Sequence, residues 1–425
     1  MERLLKDHRP MTKLVFIQLL LCLAFSVTNL LPVSAALILF IPLLPLLWFD
    51  YRPLHAVLVS LGAMLIYFAI SAAVYDYHSL FSYDFYRRDG NVFVTFAPLL
   101  ILSLQRIRVD MVRVLRYFVY WATGMNALCL IIYYRTGHTI FIREEGIYHF
   151  LFVAHNAAGG YLSVILAFTI GLYLGTRERR FIALALINIA GLFATDSRGS
   201  TIGIAAACVI VLLLRGKFTK TVVIVMIAAQ TLLFAWLYTH SSPSDYMQGE
   251  SAVTDGYRFD AIERGHTVVV RAFYLWPRAI SLFLNSPIVG TGFGSYDDLP
   301  FSLQGVPHLL MFNQPETMIH SDRHAHHSFL HVLAETGMIG LLMLIYLLHS
   351  IWKTIIRLPD SAVRSALRLA FWVCIVSSFT EHRLFTPSQM LPFILILGLA
   401  IASSRFEDHT RNYGRDGVEH EKSLH

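Results

Sequence analysis

Arginine and histidine are the residues of this chain whose types and spacing point to chemistry. Arg198 sits in the run Thr195-Asp196-Ser197-Arg198-Gly199-Ser200, flanked by small residues. Arg271 and Arg278 stand seven apart, which puts them on one face of a helix, and Tyr274 lies between them. A guanidinium is a rigid fork of donors suited to bidentate phosphate binding. Each arginine also has a plainer reading: snorkelling to a membrane surface, or an ion pair with Asp196, Asp260 or Glu263. A histidine cluster follows: His320, His324, His326, His327 and His331, with Glu335. Imidazole is largely neutral near neutral pH and can serve as a general base. His327, His331 and Glu335 recur every four residues and stripe one helix face. That stripe is open to a metal or to a buried hydrogen-bonded pair. No second ligand cluster stands out, so no metal is expected. His326 and Glu335 are nine apart, on opposite faces of a straight helix with ~13 Å of rise between them. Glu335 is then no simple orienter of His326.

Two further runs carry glycines. Gly290-Thr291-Gly292-Phe293-Gly294 has the look of a phosphate loop, but no strand–helix context surrounds it, and a tight turn after Pro287 is the simpler reading. Gly159 and Gly160 follow His155-Asn156 and predict close helix packing there. Asn156 is a candidate to line the same cleft as the arginines.

These residues must be positioned by apolar helices. The chain of 425 residues is 56% hydrophobic and only 15% charged, whereas soluble proteins carry about a quarter charged residues. Many apolar runs approach the ~20 residues that cross a bilayer. The expected fold is an all-α polytopic membrane protein of about twelve spans. They fall near 14–31, 33–49, 55–75, 91–104, 113–134, 151–175, 181–196, 199–214, 221–240, 326–349, 366–382 and 387–404. Met1 to Lys13 is basic and leads into apolar sequence like a signal peptide, but the apolar run continues to Phe49, so two spans are expected instead. The cysteines, Cys22, Cys129, Cys208 and Cys374, all lie in apolar runs and read as packing residues.

Lys and Arg set the orientation. The stretches Gln105–Arg116, Thr176–Arg180, Arg215–Lys220 and Ile351–Arg368 are basic and share one side if both termini are cytoplasmic. The formal charge of +6 is then a topology signal, not a nucleic-acid footprint. The opposite face receives residues 76–91, 135–150, the Ser197-Arg198 turn, a long segment from 241 to 325, and Thr380–Phe385. The expected organisation is a nine-span bundle over 1–240, a periplasmic segment with amphipathic helices over 241–325, three spans over 326–404 and a cytoplasmic tail over 405–425. An amphipathic helix is expected near Ala261–Asn285, against the membrane.

The motifs together resemble those of the O-antigen ligase and O-antigen polymerase superfamily, bacterial inner-membrane glycosyltransferases. The resemblance covers nearly the whole chain. It is carried by Ser197-Arg198-Gly199 at a hairpin head and by Arg271, Tyr274 and Trp276 running into Pro287–Gly294. Ala325-His326-His327-Ser328-Phe329-Leu330 with Glu335-Thr336-Gly337 and Gly340 adds to it, as does Arg143-Glu144-Glu145-Gly146 before His155-Asn156. Family members have Asn after the motif histidine and this chain has His327, so the base is His326 or His327. The resemblance implies a GT-C-like helical fold, a periplasmic active site and no cofactor. It implies a donor glycan on undecaprenyl diphosphate. The acceptor is a sugar of lipid A-core for a ligase, or another lipid-linked glycan for a polymerase. In that setting Arg198 and Arg271 meet the charge of the leaving diphosphate without a metal and His326 deprotonates the attacking hydroxyl. Arg278, His327, Tyr274 and Asn156 bind substrate, and Glu335 and Gly337 support the site. One displacement at C1 inverts the anomeric configuration. The hairpin and the size of the periplasmic segment favour the ligase. A transporter of lipid-linked sugars is the competing class, but transporters carry internal repeats and a site at mid-membrane, and neither is evident here.

Overall fold

The computed structural model describes residues 56–87, 89–104, 109–139, 147–152, 154–213, 224–225, 227–228, 231–232, 271, 275–297, 324–387 and 389–404. Among these there is no strand. The helices are α1 (Ala56–Asp76), α2 (Tyr83–Arg87), α3 (Asn91–Ser103), α4 (Met111–Thr136), α5 (His155–Thr176), α6 (Arg180–Ala194) and α7 (Arg198–Cys208). After them come α8 (Trp276–Asn285), α9 (Ser328–Arg357), α10 (Ser361–Ser377) and α11 (Gln389–Ser404). Four of them, α1, α4, α5 and α9, are long and apolar enough to cross a membrane by length and composition. α3, α6, α7 and α11 are shorter apolar helices. The expected spans 14–31 and 33–49 lie outside the described residues, as does most of the span near 221–240.

Several boundaries differ from the sequence expectation, and caps explain them. α4 starts at Met111 because the Asp110 carboxylate accepts from Arg113 N at 3.1 Å. Asp360 does the same for α10, accepting from Ala362 N and Val363 N at 2.8 and 3.2 Å. The basic stretch Ile351–Arg368 is therefore no loop. α9 runs through it to Arg357, and only 358–360 separate it from α10. At the other end, 151, 152 and 154 are not helical: Phe150 has φ 51°, and α5 begins at His155.

α5 is the central helix, buried along most of its length. Its glycines let α10 approach backbone to backbone. A Cβ on Gly171 would lie 2.2 Å from Ala366 Cα, and one on Gly175 2.3 Å from Ala362 Cα. Such small-residue contacts are how apolar helices pack when burial alone gives no preference. α6 and α4 join through buried amides: Asn188 Nδ2 donates to Thr123 Oγ1 at 2.8 Å, and Asn126 Nδ2 donates to Ile187 O at 3.1 Å.

The glycine run 290–294 is a turn docked on α9, as its simpler reading expected. Gly292 N donates to Glu335 O at 2.9 Å and Thr291 N to Ala334 O at 3.2 Å. Met338 N in return donates to Pro287 O at 2.9 Å. α9 breaks at Gly337 to admit this turn, with φ 63° and ψ −162°, a conformation open essentially to glycine alone. A Cβ there would sit 2.4 Å from Ile288 O. Gly337 is thus where the glycine turn docks on α9.

Candidate functional site

The polar residues meet at one end of the bundle, around a carboxylate the motifs did not single out. Glu381 lies in the turn between α10 and α11. Its Oε1 accepts from Arg271 Nη2 at 2.7 Å, and its Oε2 is 2.9 Å from His326 Nδ1. Arg271 Nη1 also donates to Thr380 O at 2.8 Å. Glu381 is separated from Arg271 by 110 residues and from His326 by 55.

Backbone contacts fix this turn. Ser328, the first residue of α9, donates its N–H to Ser378 O at 2.9 Å. Its hydroxyl donates to Glu381 O at 3.3 Å and accepts from Leu384 N at 3.2 Å. The turn and the head of α9 are thereby clamped together, which sets Glu381 beside His326. His326 itself has φ 46°, a left-handed conformation that costs a non-glycine residue roughly 1–2 kcal/mol. The bond to Glu381 holds the ring in that orientation.

Burial alone would raise the Glu381 carboxyl. Arg271, His326 and Arg383 outweigh it and hold the group well below the usual carboxylate range. Glu381 is therefore an anion. It takes the Nδ1 proton of His326 as a hydrogen bond and leaves Nε2 with its lone pair. This is the arrangement of a base and its orienter.

The structure separates the two adjacent histidines. His327 is the N-cap of α9, its Nδ1 accepting from Leu330 N at 3.2 Å. Its ring packs edge-on against Trp276 and Phe379, and burial pulls it down to about 4. His326 keeps a partly exposed side chain. Only His326 has both a carboxylate partner and an accessible ring.

The hairpin between α6 and α7 comes up beside Glu381. A Cβ on Gly199 would lie 2.8 Å from Thr380 Oγ1 and 3.5 Å from Glu381 Cγ. Arg198 is the first residue of α7, exposed, after Asp196 at φ 51°. Its guanidinium adds to the positive end of the helix dipole. The head of α5 packs on the same hairpin. A Cβ on Gly159 would lie 2.3 Å from Ser197 Cβ, and one on Gly160 2.8 Å from Arg383 Nη1. The close packing expected at these glycines is present, and the half-buried Asn156 lies one turn before Gly159 on α5.

Other expected residues stand elsewhere. Arg278 is buried, its guanidinium 5.0 Å from the centroid of the Tyr296 ring. It does not share the Glu381 carboxylate with Arg271, although the two were expected on one helix face. Tyr274, most of the helix expected near Ala261–Asn285 and His320 lie outside the described residues. Glu335 and His331 are both buried, with Glu335 Oε2 3.5 Å from His331 Nε2 but without a hydrogen bond between them. Missed altogether were Glu381, His382 and Arg383. Their signal was present: three consecutive ionisable residues between segments apolar from 369 to 376 and from 390 to 402. Burial, with His331, His324 and His326 near, holds His382 well below the ordinary histidine range.

Next to the site, an apolar cavity of about 840 Å³ runs along α9. His327, Trp276 and Phe379 line its end near Glu381, and Trp352 and Phe371 line it farther along.

Comparison with known proteins matches residues 181–345 to the family model described as O-antigen ligase. The matched residues include Arg198, Arg271, His326, Glu335 and Gly337, but not Glu381. No curated protein matches the chain.

Proposed function

We propose that this chain is an O-antigen ligase, a reading supported by the match of residues 181–345 to the family model of that description. It moves a glycan from undecaprenyl diphosphate to a sugar hydroxyl of lipid A-core, at the periplasmic face of the inner membrane, with inversion. The observation that carries this is Glu381, shared between Arg271 and His326.

The chemistry follows from those contacts. The bond that breaks joins sugar C1 to a diphosphate oxygen, and the bond that forms joins C1 to the acceptor oxygen. The acceptor proton passes to His326 Nε2, with Nδ1 anchored on Glu381. The electron pair of the breaking bond leaves on the diphosphate. That group is acidic enough to need no protonation, only cations to meet its growing charge. Arg198 stands exposed at the head of α7 for this role. Arg271 has five N–H donors and spends one on Glu381 and one on Thr380. Glu381 thus serves both halves of the reaction: it orients the base and holds one of the cations. Direct attack of the acceptor oxygen on C1, from the side opposite the departing diphosphate, is one displacement and gives inversion. The apolar cavity beside His327 suits the hydrocarbon of a polyprenyl donor.

A deletion strain tests the assignment. Loss of a ligase leaves long glycan chains on the lipid carrier and bare lipid A-core. Complementation restores attachment with the native chain and fails with His326→Ala. Core bearing a single repeat in the deletion strain would replace the ligase with a polymerase. Carrier-linked glycan stranded on the inner leaflet would replace both with a transporter.

A further inference from the structure

Behind the Glu381 centre three histidines from three separate elements converge. His324 precedes α9, His331 lies in its first turn, and His382 follows Glu381 in the turn between α10 and α11. One ring nitrogen of each lies within 4.8 Å of the others. Ring centroids are 4.4 Å apart for His331 and His382, 4.5 Å for His324 and His382, and 5.4 Å for His324 and His331. We propose that His324, His331 and His382 bind a zinc-type transition-metal ion that locks the two loops of the site onto α9. This goes beyond glycan transfer: the ion is a structural tie between the loops, and its binding can be measured without donor or acceptor.

Three imidazoles are an established donor set for zinc, with a fourth position for water or a carboxylate. At Zn–N distances of about 2.0–2.1 Å, neighbouring ligand atoms in a tetrahedron are about 3.3 Å apart. The longest separation here must close by about 1.5 Å. His331 is fixed on α9, while His324 and His382 are on loops and can rotate inward. Unmet polar atoms point the same way. His331 Nδ1 and His382 Nδ1 are buried without a hydrogen-bond partner among the described residues. Buried polar atoms without partners call for a ligand. Glu335 stands beside His331: its Oε2 is 3.5 Å from Nε2 without a formed hydrogen bond, close enough to accept from it once the ring turns toward an ion, and its Oε1 accepts from Tyr296 N at 3.2 Å. A carboxylate behind a ligating histidine fixes its tautomer and raises its basicity. That assignment leaves Nδ1 of His331 for the metal.

The placement gives the ion a structural consequence. His324 is two residues from His326, and His382 is next to Glu381. One ion held by both fixes the spacing of the base and its orienter. The grouping differs from the stripe of His327, His331 and Glu335 that the spacing suggests. His327 is spent on capping α9, and the loop histidines replace it.

The test uses the full-length, untagged protein in detergent, because the chain holds nineteen histidines and a tag would add more. After chelation and dialysis it is titrated with Zn2+ alone, against a chromophoric chelator. The expected result is one tight equivalent per chain. Co2+ in its place should give the intense visible bands of a four-coordinate ion. His324→Asn and His382→Asn should each weaken Zn2+ binding by about tenfold or more, while the exposed His349→Asn leaves it unchanged. If the buried His331→Asn fails to fold, the two loop variants and the Co2+ spectrum of the native chain still decide. No tight equivalent, a six-coordinate Co2+ spectrum, or full binding by both loop variants would overturn the site. No donor or acceptor is present in these measurements, so they stand or fall apart from glycan transfer.

Discussion

Two carboxylate–histidine pairs flank the head of α9, and they differ in everything except their chemical types. Glu381 and His326 are 2.9 Å apart, with side chains 10% and 27% exposed. Glu335 and His331 are 3.5 Å apart, with side chains 1% and 3% exposed. The first pair is joined by Arg271 and neighboured by Arg383, so its carboxylate is held as an anion. The second is packed under the glycine turn, its backbone carbonyl accepting from Gly292 and its Oε1 from Tyr296 N. A carboxylate and a histidine within reach are therefore not enough to mark a catalytic pair. What separates them is an accessible ring on one side and cations on the other.

The strongest way to break this comparison is to remove the exposed base. His326→Ala should lower glycan transfer on the order of a thousandfold, near 4 kcal/mol of transition-state stabilisation. Its side chain is partly exposed at a loop, so the variant should fold with the native melting temperature. A purified variant that transfers at the native rate would move the base elsewhere. Glu381→Gln is the next largest change. Gln fills the same space but cannot carry charge. Kcat should fall by roughly a hundredfold, because the imidazolium formed in the transition state loses its counterion. Arg271→Lys should cost about tenfold. An ammonium keeps the charge, but it cannot span Glu381 Oε1 and Thr380 O as the planar fork does. A lysine variant with native kinetics would show that Arg271 acts only as a point charge.

The sequence showed the site unevenly, and the reason is the range of the interactions. The Ser197-Arg198 hairpin, the docked glycine turn and the small residues at the head of α5 are local features, and each was readable. The choice between His326 and His327 was not, because it turns on which ring faces a carboxylate 55 residues away. Glu381 has no motif of its own. Its partners come from the segment at 271 and from the head of α9, and no spacing rule links them. Helical arithmetic did separate Glu335 from His326, but on a premise the backbone does not obey: His326 precedes the helix. The helix ends near 351–368 were misplaced for a different reason. Basic residues there read as a loop, whereas Lys353, Arg357, Arg364 and Arg368 all sit within α9 and α10.

Glu335→Gln is the smallest change and sharpens the comparison most. Gln keeps an oxygen that can accept from Tyr296 N, and its amide can still face His331. If this pair is structural, transfer should stay within about threefold of native, since no atom of it is placed to meet the reacting sugar. The melting temperature should fall, because a buried amide replaces a carboxylate shaped to its surroundings; such exchanges cost roughly 1–3 kcal/mol. Zn2+ affinity should fall with it, since His331 loses its carboxylate. Kinetics and stability thus move in opposite senses for the two carboxylates: Glu381→Gln lowers kcat far more than it lowers the melting temperature, and Glu335→Gln the reverse. A Glu335→Gln variant that folds like the native chain yet loses transfer a hundredfold would assign the buried pair to the chemistry and remove the distinction between them.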